Sequence, residues 1–307
     1  MRNSFAERLL HLMSEDDRIF LLYGDIGNRL FDSIKHDFPE RIENAGIAEA
    51  SMVGVAAGLS QANYIPYCYT INSFLYLKAL EQIKLDLAYP NRHVVLVGTG
   101  GGLSYGSLGT SHHSVEDYGV LGSIPNVQVY SPADVNELYT CLDDTLTNSG
   151  PSYIRLGKKG EPQLQVQGDS TTAAPKRGFR KLSGAPDATR AVVSIGPIGA
   201  QVQDILREKS LDEHLAHFSF FQIEPWLPEL VAEEFSRFDE IVVVEEHYKF
   251  GGLATRFMDT FHDARNTTRI TSLGLDKGFF TGAGGREEIR ESFGLSKQSL
   301  INALQNR

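Results

Sequence analysis

Residues 45–62 read AGIAEASMVGVAAGLSQA, and the fold turns on what this stretch becomes. Its apolar positions, Ile47, Val53, Val55, Ala56 and Leu59, are spaced by small residues, which predicts a helix over 46–60 buried on most sides. Glu49 falls in the first turn, among Ile47, Ala48 and Ala50. Loss of water there disfavours the charge of a carboxylate and raises its pKa. The positive end of the helix acts the other way and steadies the ionised form. A first-turn glutamate that only caps its helix is the plain reading. An acid among so many small residues predicts instead that something packs closely against it.

Outward from this helix, short apolar runs alternate with helical patterns, the signature of an α/β fold with mainly parallel sheets. RIFLLYG (18–24), IPYCYT (65–70), HVVLVGT (93–99), VQVY (127–130) and SYIRL (152–156) read as strands. Helical stretches lie between them at 46–60, 73–88, 114–121 and 132–147, the last opening at Pro132 with Ser131 as its expected N-cap. The segment 157–187 is polar and rich in Gly and Pro, so it reads as a linker with room for a short hairpin. A second α/β unit then runs over 188–307, with strands at 188–196, 217–223, 239–247 and 268–275 and helices at 199–208 and 251–264. The expectation is two domains, 1–156 and 188–307.

Residues 98–113, GTGGGLSYGSLGTSHH, come after a strand and are dense in glycine. No register supplies G-x-G-x-x-G, since Leu103 or Tyr105 falls at the third glycine position, and there is no lysine for a P-loop. A phosphate cradle is therefore a poor reading, and the closing Ser111, His112 and His113 point to polar groups shown to a substrate. A metal site from His112, His113, Glu116 and Asp117 is a weaker reading, because adjacent histidines seldom converge on one ion.

The net charge of −10 argues against nucleic acid or an anionic membrane surface as partner. Two cysteines, Cys68 and Cys141, lack C-x-x-C spacing and imply neither a disulfide framework nor a zinc ribbon. The N-terminus is an amphipathic helix pattern without the apolar run of a signal peptide, and no stretch has the length of a membrane span. These features predict a soluble, cytoplasmic protein.

GIAEASMVGVAAGL (46–59) resembles the catalytic-glutamate motif of thiamine-diphosphate enzymes of the transketolase family. GDIG (24–27) resembles the acidic turn of that family, SFLYLKALEQIKLDLAY (73–89) its aromatic-rich helix, and SHHSVEDYGVLGSIPNVQVYSPADVNEL (111–138) its histidine-bearing loop and the segment after it. EEHYKFGGLATRF (245–257) resembles the opening of its C-terminal domain, so the likeness spans nearly the whole chain. It implies a pyrimidine-binding domain over 1–156 and a transketolase C-terminal-like domain over 188–307. The Gly-Asp-Gly and later Asn that hold diphosphate and metal have no counterpart, since Gly168-Asp169-Ser170 lacks the second Gly. The resemblance is thus to the C-terminal half of a split transketolase. A partner subunit, in an expected α2β2 assembly, would hold the diphosphate and a Mg²⁺ or Ca²⁺ ion.

The resemblance implies roles residue by residue. Glu49 bonds the aminopyrimidine of thiamine diphosphate and so activates the thiazolium carbon as a nucleophile. Phe74 and Leu77 face the pyrimidine, and Asp25 lies near the subunit interface. His112 bonds substrate hydroxyls, with His113 beside it, Arg155 meets a sugar phosphate, and Arg29 is a further substrate contact. The glycines of 98–113 keep backbone clear of the substrate. Leu108 stands where transketolases carry an Asp, and Gly100 or Gly101 where they carry a His. Loss of these polar groups implies a changed acceptor, such as a deoxysugar or a nucleotide-linked sugar. The β subunit of a 2-oxoacid dehydrogenase E1 and a non-catalytic subunit that orders a partner are the competing readings.

Overall fold

The computed structural model describes residues 1–27, 29–167, 178–211, 214–263, 267–282 and 284–305. Gly168-Asp169-Ser170 lies outside the described residues. The strands in chain order are β1 (Ile19–Gly24), β2 (Ile42–Gly46), β3 (Ile65–Ile71), β4 (Val95–Thr99), β5 (Gln128–Tyr130) and β6 (Ser152–Leu156). They continue as β7 (Phe179–Ser183), β8 (Arg190–Ile195), β9 (Leu215–Phe220), β10 (Gln222–Glu224), β11 (Glu240–Tyr248) and β12 (Arg269–Leu275).

Two sheets result, ordered β10-β5-β6-β4-β3-β1-β2 and β12-β11-β8-β9-β7. The first is parallel from β1 to β6, and only β10 runs antiparallel, against β5. The second is parallel except for its edge strand β7, which pairs antiparallel with β9. Strands covered on both faces need nearly continuous apolar sequence. Leu96 and Val97 of β4, Ile154 of β6 and Val242, Val243 and Val244 of β11 show it, all fully buried.

The α/β expectation holds, and the differences have physical reasons. The glutamate helix begins at Glu49, because Ile42–Gly46 is spent on edge strand β2. That helix is not buried on most sides: Ile47 before it is 81% exposed and Val55 on it is 54% exposed. The stretch expected as one helix over 73–88 is a helix Asn72–Lys78, a short turn Leu80–Gln82 and a π-turn Ile83–Ala88. Ser131 is not a cap. The Asp134 carboxylate takes the Glu137 N–H at 3.0 Å and caps the helix Val135–Thr147, while the Ser131 hydroxyl accepts from Tyr118. β7 lies inside the stretch expected to be linker, so the second sheet starts before residue 188.

The two sheets share one apolar core. A single cluster joins Met52, Val53 and Leu96 of the first half to Val193, Phe218 and Ile241 of the second through Tyr118, Ile124 and Phe179. Arg180 of β7 reaches back to Asp134 at 2.7 Å and Glu137 at 2.8 Å, both enclosed. Among the described residues no helix is long and apolar enough to cross a membrane.

Candidate active site

Loops that leave the carboxyl ends of parallel strands gather on one edge of the sheet, where ligand sites form. Asp25 follows β1, Glu49 follows β2, Phe74 follows β3, the glycine-rich loop follows β4 and Lys158 follows β6. Sequence-distant groups therefore meet at one edge.

Glu49 is 5% exposed. Its Oε1 accepts from the Thr70 hydroxyl at 3.4 Å and its Oε2 from Lys78 Nζ at 3.1 Å. The company of this carboxylate is therefore not only apolar. Neither partner could be found from the sequence around Glu49, since β3 and the following helix bring them from elsewhere. Lys78 also lies 4.3 Å from the centre of the Phe74 ring. The half-buried Phe74 meets the edge of the His112 imidazole at 5.0 Å, and Tyr105 stands behind His112 at 6.1 Å. The Nδ1 of His112 is 3.0 Å from the Ser111 hydroxyl. Burial first, and then His113, lower the His112 pKa, so the imidazole is neutral near pH 7. Asp25 is exposed and held by Asn44 Nδ2 at 3.3 Å, while its N–H donates to the Gly46 carbonyl at the approach to the glutamate helix.

The glycine-rich loop is clamped rather than open. An added Cβ at Gly100 would strike the Tyr105 ring, one at Gly101 the Arg155 side chain, and one at Gly102 the Glu246 carboxylate. These glycines make room for the protein's own side chains. Glu246 of β11 accepts the Leu103 N–H at 2.6 Å and Arg286 Nε at 2.9 Å, and it also pairs with Arg290. Burial alone would raise its pKa, but the two guanidinium groups hold it at about 2. The Thr110 hydroxyl donates to the Phe280 carbonyl at 2.8 Å, so the second sheet's half of the chain holds the His112 turn at two points.

Other candidates stand differently. Arg155 is enclosed, with Nη1 on Asp117 at 3.1 Å and Nη2 on the Glu246 carbonyl at 2.8 Å. Asp117 also accepts from Asn72 Nδ2 at 3.0 Å and meets Tyr153. His113 turns inward and its Nε2 lies 3.2 Å from the Gly106 carbonyl. Arg29 is exposed, at a φ of 63°, and lines a cavity of about 250 Å³ with Asn3, Glu7 and Ser33, on the side of the N-terminal helix Arg2–Glu15. Leu77 is 51% exposed and lines a cavity of about 220 Å³ with Ser111, Glu116 and Phe279. Glu49, Phe74, Lys78 and His112 are thus one group, and Arg29, His113 and Arg155 lie outside it.

A flat aminopyrimidine needs a carboxylate for its ring nitrogen and an aromatic face to lie on, and Glu49 and Phe74 offer both. Among the described residues, no group of three or more His, Cys, Asp or Glu side chains is placed to hold a metal ion.

Residues 1–162 match the family model described as transketolase, pyrimidine binding domain. The chain is 30% identical over 274 residues to an apulose-4-phosphate transketolase subunit of Actinobacillus succinogenes, covering 87% of this chain and 84% of that one. It is 28% identical over 303 residues to the subunit of the same name in Phocaeicola vulgatus, covering 97% and 94%. A solved split-gene transketolase, described as an inactive β4 tetramer, superposes with a TM-score of 0.82 at 25% identity, covering 99% of this chain and 96% of that chain. With that domain matched over more than half of its length and a relative 30% identical along most of both chains, this chain is a member of the transketolase family.

Proposed function

We propose that this chain is the C-terminal subunit of a split, thiamine-diphosphate-dependent transketolase. It transfers a two-carbon ketol unit to a sugar or sugar-derived acceptor. The observation that carries this reading is Glu49: buried, in the first turn of its helix, and sharing one edge with Phe74 and His112. The cofactor, when bound, supplies the carbon nucleophile that carries the two-carbon unit.

The chain's own residues divide the remaining work. Glu49 exchanges a proton with the pyrimidine ring nitrogen, and Phe74 and Leu77 give that ring its apolar face. His112, neutral and engaged at Nδ1 by Ser111, has Nε2 free to bond a substrate hydroxyl. Arg155 and His113 act at one remove, Arg155 by holding Asp117 and His113 by holding the Gly106 carbonyl. Lys158 is exposed at the exit of β6, 5.1 Å from the Tyr105 ring, and is the cation we assign to a substrate phosphate. Exposed Ile47, Val55 and Leu77 support a partner subunit that covers this edge and brings diphosphate and metal binding, in an α2β2 assembly with Asp25 near the interface.

The test is a calorimetric titration of thiamine diphosphate with Mg²⁺, on this chain alone and on its complex with the product of the neighbouring reading frame. The expected result is binding to the complex only, followed by turnover with a ketose donor and a panel of aldehyde sugars. Tight binding to the chain alone sinks the split-site reading. Turnover of a 2-oxo acid with an artificial electron acceptor, and none of a ketose, would make the chain an E1 β subunit instead. Binding to neither sample would leave only a non-catalytic, partner-ordering subunit.

A further inference from the structure

Lys78 makes two contacts that the cofactor reading gives to something else. Its ammonium donates to Glu49 Oε2 at 3.1 Å and lies 4.3 Å from the centre of the Phe74 ring. Under the proposed function, both that carboxylate and that aromatic face belong to the pyrimidine ring. A lysine head and a flat ring cannot occupy one face and one oxygen together.

We propose that Lys78 is a displaceable plug of the pyrimidine site, competing with thiamine diphosphate for Glu49 and Phe74. The inference rests on the cofactor reading above. Its physical basis begins with Glu49, whose 5% exposure makes a lone carboxylate costly in the free subunit. Lys78 supplies the missing counter-charge, and its ammonium gains from the ring face as well. The plug is nonetheless loose. The Lys78 side chain is 47% exposed, so the ion pair is weak and screened by salt, and the four-carbon stem can swing its head into water.

Such competition sets the affinity for the cofactor without touching its chemistry. The apparent Kd is the intrinsic Kd divided by the fraction of sites that stand open. If roughly nine sites in ten are plugged, removing the plug tightens binding about tenfold. Salt gives the effect a signature. Screening weakens the Lys78–Glu49 pair, so the advantage of a plugless variant must shrink as ionic strength rises.

The experiment compares wild type, Lys78→Met and Lys78→Arg in the assembled two-subunit complex, titrated with thiamine diphosphate and Mg²⁺. Methionine keeps an apolar stem without the charge, and arginine keeps the charge. Expected is a Kd about three- to tenfold lower for Lys78→Met at low salt, a ratio approaching one at high salt, and Lys78→Arg within about twofold of wild type. A second readout needs no turnover: the cofactor should raise the melting temperature more for Lys78→Met than for wild type, since the free variant leaves Glu49 without its counter-charge. Equal or weaker binding by Lys78→Met at low salt overturns the plug. If no variant, wild type included, binds the cofactor in the complex, the cofactor reading itself fails and takes the plug with it.

Discussion

Glu49 is held by Thr70 through a buried but long contact of 3.4 Å, and by Lys78, whose side chain is half exposed. A buried acid with loose partners is suited to exchanging a proton with a ligand. Glu49→Gln keeps the shape and removes the acid, so we expect kcat to fall about 10²- to 10⁴-fold. Subunit assembly should be unchanged in gel filtration. Wild-type turnover by Glu49→Gln would remove the residue from the mechanism. Glu49 was legible in the sequence because helix start, small neighbours and lone acid all lie within a few residues. Lys78 was not, because its contact with Glu49 exists only once β2 and β3 lie on either side of β1.

At the scale of elements, the loop after β4 and the strand β11 act together. Gly102 has a φ of 63° and lies against Glu246, so Gly102→Ala adds left-handed strain of roughly 1–3 kcal/mol and pushes that carboxylate off the Leu103 N–H. The His112 turn should then loosen. We expect a lower unfolding midpoint and a raised KM for the acceptor, measured by denaturant titration and steady-state kinetics. An unchanged KM would separate the clamp from substrate binding. Glycine density in 98–113 was visible in the sequence, but its purpose was not. At Gly101 and Gly102 the side chains that claim the space come from Arg155 and Glu246, far along the chain.

The neighbouring Glu245 yields a pH prediction. Burial raises its pKa to about 7, against the pull of the Ala254 and Leu253 N–H groups at the start of the helix Leu253–Asp263. An acid whose pKa is higher folded than unfolded binds its proton more tightly in the folded state. Its contribution to stability is complete below the ordinary carboxylate range and is lost as pH rises to about 7. The change amounts to about 3 kcal/mol at 1.36 kcal/mol per pH unit. Glu245→Gln should flatten the fall in stability between pH 4.5 and 7, read from denaturant midpoints at several pH values. An unaltered profile would assign that slope to other groups.

Across the whole molecule, the two sheets are bound by charge as well as by the shared core. Arg180 carries Asp134 and Glu137, and all three side chains are largely enclosed. Burial pushes the Glu137 carboxyl up, and Arg180 draws it back. Arg180→Met leaves two enclosed acids without a cation, which costs roughly 3–5 kcal/mol. The unfolding midpoint should drop markedly, and more at pH 8 than at pH 5, where Glu137, its pKa raised by burial, takes up a proton more readily. Equal loss at both pH values would mean that packing, not charge, carries the contact. The α/β class and the two-sheet plan were legible because strand and helix periods differ so clearly. β7 and β10 were not, because Phe179–Ser183 adjoins a Gly- and Pro-rich stretch and Gln222–Glu224 is too short to show a period.

β10 also bears on how the protein is made. The strand that closes one edge of the first sheet comes from residues 222–224, whereas the other six strands are complete by Leu156. During vectorial synthesis the ribosome therefore releases an N-terminal sheet with β5 still unpaired along that edge, an invitation to the wrong neighbour. The nascent chain must wait for much of its second half before the first can be finished.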